Sequence, residues 1–151
     1  MTAGTGLYYA DTSALVRAYL SGEPAHVQLR RLLLEGDVPV VTSVLTRVEF
    51  AGAVAAAGRA ARLRRPRVLL DRFDADCRDS GPVTLLDLDT SVTLPLARQL
   101  VREYPLRTLD ALHLAVAMTA ATEVAAGEPV SIVTRDKAKA AAAESLGLGL
   151  A

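Results

Sequence analysis

The sequence predicts an α/β protein: a three-layer α/β/α sandwich in which helices cover both faces of a central parallel sheet of four to five strands. Three observations predict it. Short apolar runs of strand length alternate with longer stretches of helical periodicity from Leu7 to Gly147, and such alternation requires crossover connections and therefore parallel strands. Gly and Pro mark the joints between these stretches. The 151 residues contain no linker, repeat or low-complexity segment, so residues 1–151 read as one domain, long enough for its own core.

Each element has its own signal. Leu7–Ala10 is an apolar run that stops at Asp11, and Thr12–Leu20 continues with Leu15, Val16, Tyr19 and Leu20 at helical spacing. After Gly22 and Pro24, Ala25–Leu34 reads as an amphipathic helix ending at Gly36. Pro39–Thr42 is a short strand, and Ser43–Ala57 a helix that stops near Gly58. Gly58–Asp79 is Arg-rich and predicts two helical pieces meeting at Pro66, which cannot sit inside a regular helix. Val83–Leu88 is the third strand. Thr90–Tyr104 is a helix with Pro95 expected in or near its first turn. Thr108–Glu123 is a strong helix, Val130–Thr134 the fourth strand, and Asp136–Leu146 an Ala-rich helix closed by Gly147. Leu148–Ala151 adds a stub of strand.

Composition bounds the function. Half of the residues are apolar but only six are aromatic, so Ala, Val and Leu must build the core. No apolar run reaches membrane-spanning length, and Met1–Gly6 brings no basic charge before an apolar stretch. The single cysteine, Cys77, forms no internal disulfide. A soluble cytoplasmic protein is the expectation. The net charge of zero carries no prior for nucleic acid. The fifteen Arg and two Lys beside so much Ala are readable as coding bias.

The informative residues are acids at strand-to-helix junctions. Asp11 ends the first strand, Glu49 and Asp110 lie in the first turns of their helices, and Asp136 follows the fourth strand. In a parallel sheet these junctions share one edge, where ligands bind. Each acid also has a bland reading: Asp11 and Asp136 as helix caps, Glu49 in a capping box with Thr46, Asp110 beside a cap at Thr108 and favouring the helix dipole. Asp87 and Asp89 occupy such positions without special purpose. Four converging carboxylates, however, repel and are costly to bury unpaired. A hard divalent cation with oxygen ligands removes that cost and can polarise a phosphodiester. No Cys/His set points to zinc.

Four segments in order, Tyr9–Leu15, Thr42–Ser43 leading to Val48–Phe50, Leu109–Ala115 and Val133–Asp136, resemble the motifs of the PIN domain family. Their length and spelling are most similar to the VapC-type toxins of toxin–antitoxin pairs. The string Leu-Asp-Ala-Leu-His-Leu-Ala is the most telling. The resemblance implies a PIN-like fold and an endoribonuclease dependent on Mg²⁺, with Mn²⁺ able to substitute. It also implies a homodimer held inactive by a cognate antitoxin. By position, Asp11 and Asp110 match the principal metal ligands, Glu49 and Asp136 complete the acidic catalytic set, and Ser13 and Thr134 match hydroxyls that line the site. The reaction implied is in-line attack of water on the phosphodiester, leaving a 3′-hydroxyl and a 5′-phosphate.

His113, three residues after Asp110, can serve as base, orient an acid, or simply stand beside the core; the last is the reading adopted, and it stays outside the catalytic set. Arg59, Arg62, Arg64, Arg65 and Arg67, with Arg72 beyond, are candidate RNA-phosphate contacts; a solvated face is the usual reading of such a charge run, and a seat for an acidic antitoxin segment is a third. Two rivals have other functions. A phosphoacceptor module would want a second acid beside or two residues after Asp11, where Ala10 and Ser13 stand. A degenerate, non-catalytic PIN scaffold binding RNA or protein would not need all four acids.

Overall fold

The computed structural model describes residues 6–151; of the segment Met1–Gly6 read above against a secretory signal, all but Gly6 lies outside the described residues. Five parallel strands, β1 (Leu7–Ala10), β2 (Val40–Ser43), β3 (Val83–Leu86), β4 (Val130–Val133) and β5 (Gly149–Leu150), form one sheet in the order β3-β2-β1-β4-β5. The chain winds from β1 out through β2 to β3, then crosses to the other side of β1 for β4 and β5. The strand order therefore reverses between β1 and β4, and open α/β sheets bind ligands at such a reversal, beyond the strands' carboxyl ends.

Alternation along β1 divides the interior in two. Leu7 and Tyr9 join the cluster under α5 (Thr90–Glu103), α6 (Thr108–Val116) and α8 (Lys137–Ser145), whereas Ala10 joins the cluster on the opposite face. That second face is covered by α1 (Thr12–Tyr19), α2 (His26–Leu33), α3 (Leu45–Arg59) and α4 (Pro66–Asp76). The few aromatics are concentrated there. Phe50 stacks on Phe73 at 4.1 Å between ring centroids, and Tyr19 meets both edge-on at 5.3 and 5.4 Å.

Several junctions differ from the sequence expectation. Only one helix occupies the Arg-rich segment: residues 60–65 are irregular, and Pro66 opens α4 at a position where its missing N–H costs nothing. Pro95 lies in the second turn of α5, next to the first, and is exposed. The rod over Thr108–Ala125 contains a π-helical turn at Ala117–Ala121 before α7 (Thr122–Ala125). Hydroxyls of Thr119 and Thr122 donate to the carbonyls of Ala115 and Ala117 at 2.7 and 2.9 Å, competing with the regular ladder there. The end of α8 follows expectation. Gly147, at φ +83°, lets its own N–H reach Glu144 and that of Leu148 reach Ala143, the paired bonds of a left-handed helix stop.

Phe50 is fully buried at the centre of the aromatic cluster. Phe50→Ala is expected to destabilise the fold by about 3–5 kcal/mol, measured by urea unfolding, with no change in the register of the sheet.

Candidate active site

The site begins where β1 ends. The Asp11 N–H donates to the Val133 carbonyl at 3.1 Å, continuing the β1–β4 ladder by one bond, and the same residue caps α1. Its side chain is completely buried and both of its oxygens are engaged. Oδ1 accepts from the Ala14 N–H at 3.0 Å and the Ser13 hydroxyl at 2.7 Å. Oδ2 accepts from the Thr134 hydroxyl at 2.5 Å and the Lys139 ammonium at 2.7 Å. Burial pushes the Asp11 carboxyl up, but the Lys139 charge and these hydrogen bonds outweigh it and hold the group below the ordinary carboxylate range.

The two hydroxyls also bind the facing turn. Ser13 Oγ accepts from the Arg135 N–H at 3.1 Å, and Thr134 Oγ1 accepts from the Asp136 N–H at 3.0 Å. Each hydroxyl thus donates to Asp11 and accepts from the β4–α8 turn, clamping the two junctions across the point where strand order reverses. Ser13 and Thr134, the two hydroxyls singled out in the sequence, are both hydrogen-bonded to Asp11.

Lys139 is the residue that the sequence reading passed over. Its Nζ bridges Asp11 Oδ2 and, at 3.0 Å, Asp110 Oδ1 from the first turn of α6; the side chain is 6% exposed. Burial pushes its ammonium down, and the two carboxylates more than compensate, leaving the pKa raised. One signal marked it. A lysine in the first turn of a helix opposes the helix dipole, and this chain has only two lysines, at 137 and 139.

Glu49 lies apart from that pair, in a relay of its own. His113, buried in α6, meets Glu49 Oε1 through Nε2 at 2.5 Å and the Tyr9 hydroxyl through Nδ1 at 2.7 Å. The Thr12 hydroxyl donates to the same Glu49 oxygen at 2.9 Å. Burial raises the Glu49 carboxyl, yet the hydrogen bond and charge of His113, with Thr12 and Lys139, hold it below the ordinary range. An ionised Glu49 can only accept, so Nε2–H donates to it, and Nδ1 lies within hydrogen-bond distance of the Tyr9 hydroxyl on the other side of the ring. His113 is therefore more than a core residue: it orients an acid, one of the roles its spacing from Asp110 allowed.

The bland readings hold in part. Asp136 caps α8, its Oδ1 accepting from the Lys139 N–H at 2.8 Å, and Asp11 caps α1. The capping box does not form. Val44 precedes α3, and Thr46 lies within the helix with its hydroxyl 2.6 Å from that of Thr42. Thr108 is the first residue of α6, and no side chain caps that end. The arginines lie elsewhere. α3 and α4 run antiparallel, tied near their outer ends by Arg47 and Asp74 at 3.1 Å, so Arg59, Arg62, Arg64, Arg65 and Arg67 gather around the distant tip of the hairpin. Ten helical residues put Arg59 about 15 Å along α3 from Glu49.

Among the described residues, no three Asp, Glu, His or Cys side chains come together as a ready-made metal cage. The four acids do not form one cluster. Two of them share a single cationic point, and the stand-in at that point is an ammonium. The two carboxylates that converge there, Asp11 and Asp110, offer the hard oxygen donors that suit a divalent cation.

Comparison with known proteins decides the family. The model of the PIN domain matches residues 8–145. The chain belongs to the PIN domain family. It is 36% identical over 124 residues to Ribonuclease VapC47 of Mycobacterium tuberculosis, covering 80% of this chain and 81% of that protein. Among solved structures it resembles M. tuberculosis VapC20, described as a Sarcin-Ricin loop cleaving toxin. The TM-score is 0.63 at 20% identity, over 89% of this chain and 94% of the other. VapBC2 from Rickettsia felis bound to promoter DNA aligns with a TM-score of 0.58 at 16% identity, over 96% and 97%. A toxin–antitoxin complex from Klebsiella pneumoniae aligns at 0.54 and 19%, over 87% and 88%. At these identities the solved structures show a shared fold.

The Lys139 bridge sets a pH signature for the metal-free protein. Lys139→Met strands two carboxylates and is expected to cost about 3–5 kcal/mol at neutral pH, measured by urea unfolding in EDTA. Asp11 has a depressed pKa, so its contribution is present above about pH 4 and is lost as pH falls further. Lys139 has a raised pKa, so its contribution holds up to about pH 10 and is lost above it. The difference between wild type and variant is therefore largest near neutral pH, shrinks as pH falls and the stranded carboxylates of the variant take up protons, and shrinks again above about pH 10.

Proposed function

We propose that this PIN domain is a metal-assisted endoribonuclease, the toxin of a VapC-type toxin–antitoxin pair. The observation that carries the chemistry is the convergence of Asp11 and Asp110, from different elements, on one cationic point at the carboxyl edge of the sheet. These two carboxylates would hold Mg²⁺, or Mn²⁺ in its place. A divalent cation held there supplies Lewis-acid polarisation of a phosphodiester and screening of its developing charge.

The remaining residues prepare that site. Ser13, Thr134 and the α1 terminus fix the rotamer of Asp11 before anything binds. Glu49, aimed by His113 and Thr12, is the acceptor that orients an attacking water. Its lowered pKa suits it to orientation more than to proton abstraction. Asp136 starts α8 and adds negative charge to the edge. The exposed arginines at the α3–α4 tip contact RNA phosphates remote from the cut; Arg62 is paired with Glu23 at 3.2 Å and contributes least.

The RNA substrate is supported by the ribonuclease name of the 36%-identical relative, and the antitoxin partner by fold neighbours that are toxin–antitoxin assemblies. A homodimer and a cytoplasmic setting belong to the same reading; no helix among the described residues is long and apolar enough to cross a membrane. The phosphoacceptor alternative is disfavoured because Ala10 and Ser13 stand where such a module would carry its second acid.

The test is cleavage of a mixed RNA pool by antitoxin-free protein. Wild type with Mn²⁺ is expected to give discrete fragments that vanish with EDTA and with Asp11→Asn or Asp110→Asn. Fragments that survive both substitutions would refute the assignment. His113→Ala removes only the support of Glu49, so its rate should fall about 10–100-fold without abolition, read from initial rates on one purified fragment-yielding RNA.

A further inference from the structure

The Asp11–Asp110 point is filled by a side chain of the same chain. Nζ of Lys139 makes two short contacts there, 2.7 Å to Asp11 Oδ2 and 3.0 Å to Asp110 Oδ1. Lys139 reaches that point from the first turn of α8, against the helix dipole and through a nearly complete burial. No unsatisfied buried polar side-chain atom remains among the described residues. An ammonium and a divalent cation cannot share the same two oxygens, since each needs their lone pairs and the like charges repel. The ammonium sits on a flexible four-carbon stem, able to leave without moving the backbone of α8, and the site opens to solvent where Asp110 is 17% and Glu49 24% exposed.

We propose that Lys139 is a tethered cation that holds the Asp11–Asp110 pair assembled in the metal-free protein and is expelled when a divalent ion binds. It is a positioning residue and an internal competitor in one. Without it, two carboxylates face each other uncompensated, so the empty site would be strained and avid. With it, the empty site is neutralised and ordered, and the ion must displace a bound charge to enter. Ion occupancy thereby becomes coupled to the position of the Lys139 side chain. The proposal rests on the reading that a divalent ion binds between these carboxylates.

The experiment pairs Mn²⁺ titration calorimetry with amine labelling on the full, antitoxin-free chain. Lys139→Met is expected to bind Mn²⁺ tighter than wild type by about tenfold, the size of a typical coupling between competing ligands, while Lys139→Arg, which keeps the charge, is expected not to gain affinity. Wild type alone gives an independent readout that needs no variant to fold. Reductive methylation followed by peptide mass spectrometry should leave Lys139 protected in EDTA and label it in saturating Mn²⁺. Exposed Lys137 should be labelled in both conditions. Mn²⁺ binding with unchanged or weaker affinity in Lys139→Met, or with Lys139 still protected, would overturn the competitor role and leave the metal site standing. Absence of Mn²⁺ binding by wild type and Lys139→Met alike would overturn the site itself and this proposal with it.

Discussion

The architecture of the active edge depends on keeping one carboxylate charged with no exposure to water. Asp11 sits at the end of the central strand, where backbone pairing with β4 and the start of α1 leave its side chain nowhere else to point. Burying an ionised carboxylate is expensive unless donors and a counter-charge surround it. The protein supplies both, from Ala14 and Ser13 on one side and Thr134 and Lys139 on the other. Ser13 and Thr134 pass the constraint on, since each also accepts a backbone N–H from the β4–α8 turn. The position of α8, and with it Lys139, follows from the requirement at Asp11.

Around that pair lies a second layer of orientation. Tyr9 reaches from β1 into the core under α6, His113 carries the contact onward, and Glu49 ends it at a partly exposed carboxylate on α3. Three elements are thus registered against one another by a short hydrogen-bonded chain, beside a core face built mostly of Ala, Val and Leu. Such small and branched side chains pack well but leave few directional contacts. The polar chain supplies the direction that close packing alone does not.

Much of this was legible in the sequence, for physical reasons that also explain what was missed. Parallel strands buried on both faces read as short apolar runs, and Gly147 announced the end of α8 because a left-handed residue was needed there. The acids at the junctions were readable because strand ends and helix starts share an edge. Lys139 was hidden because its partner Asp11 lies 128 residues away and nothing in local periodicity reports such a pairing. The only trace was a cation where a helix disfavours one, and local rules are broken most often at functional sites. Glu49 and Thr46 fitted a capping box by spacing, but the helix began one residue before Thr46 and tertiary partners claimed both side chains. Residues 60–65 departed from helix because Pro66 restricts the residue before it and suits a helix start better than a helix interior.

The proposed cation site of the protein is the point shared by Asp11 and Asp110. Anomalous diffraction from crystals of the antitoxin-free protein grown with Mn²⁺ tests it most directly. An anomalous peak is expected within coordination distance of both Asp11 Oδ2 and Asp110 Oδ1, with the Lys139 side chain turned away from it. A peak elsewhere on the protein, or Lys139 still seated between the two carboxylates in Mn²⁺-loaded crystals, would contradict it.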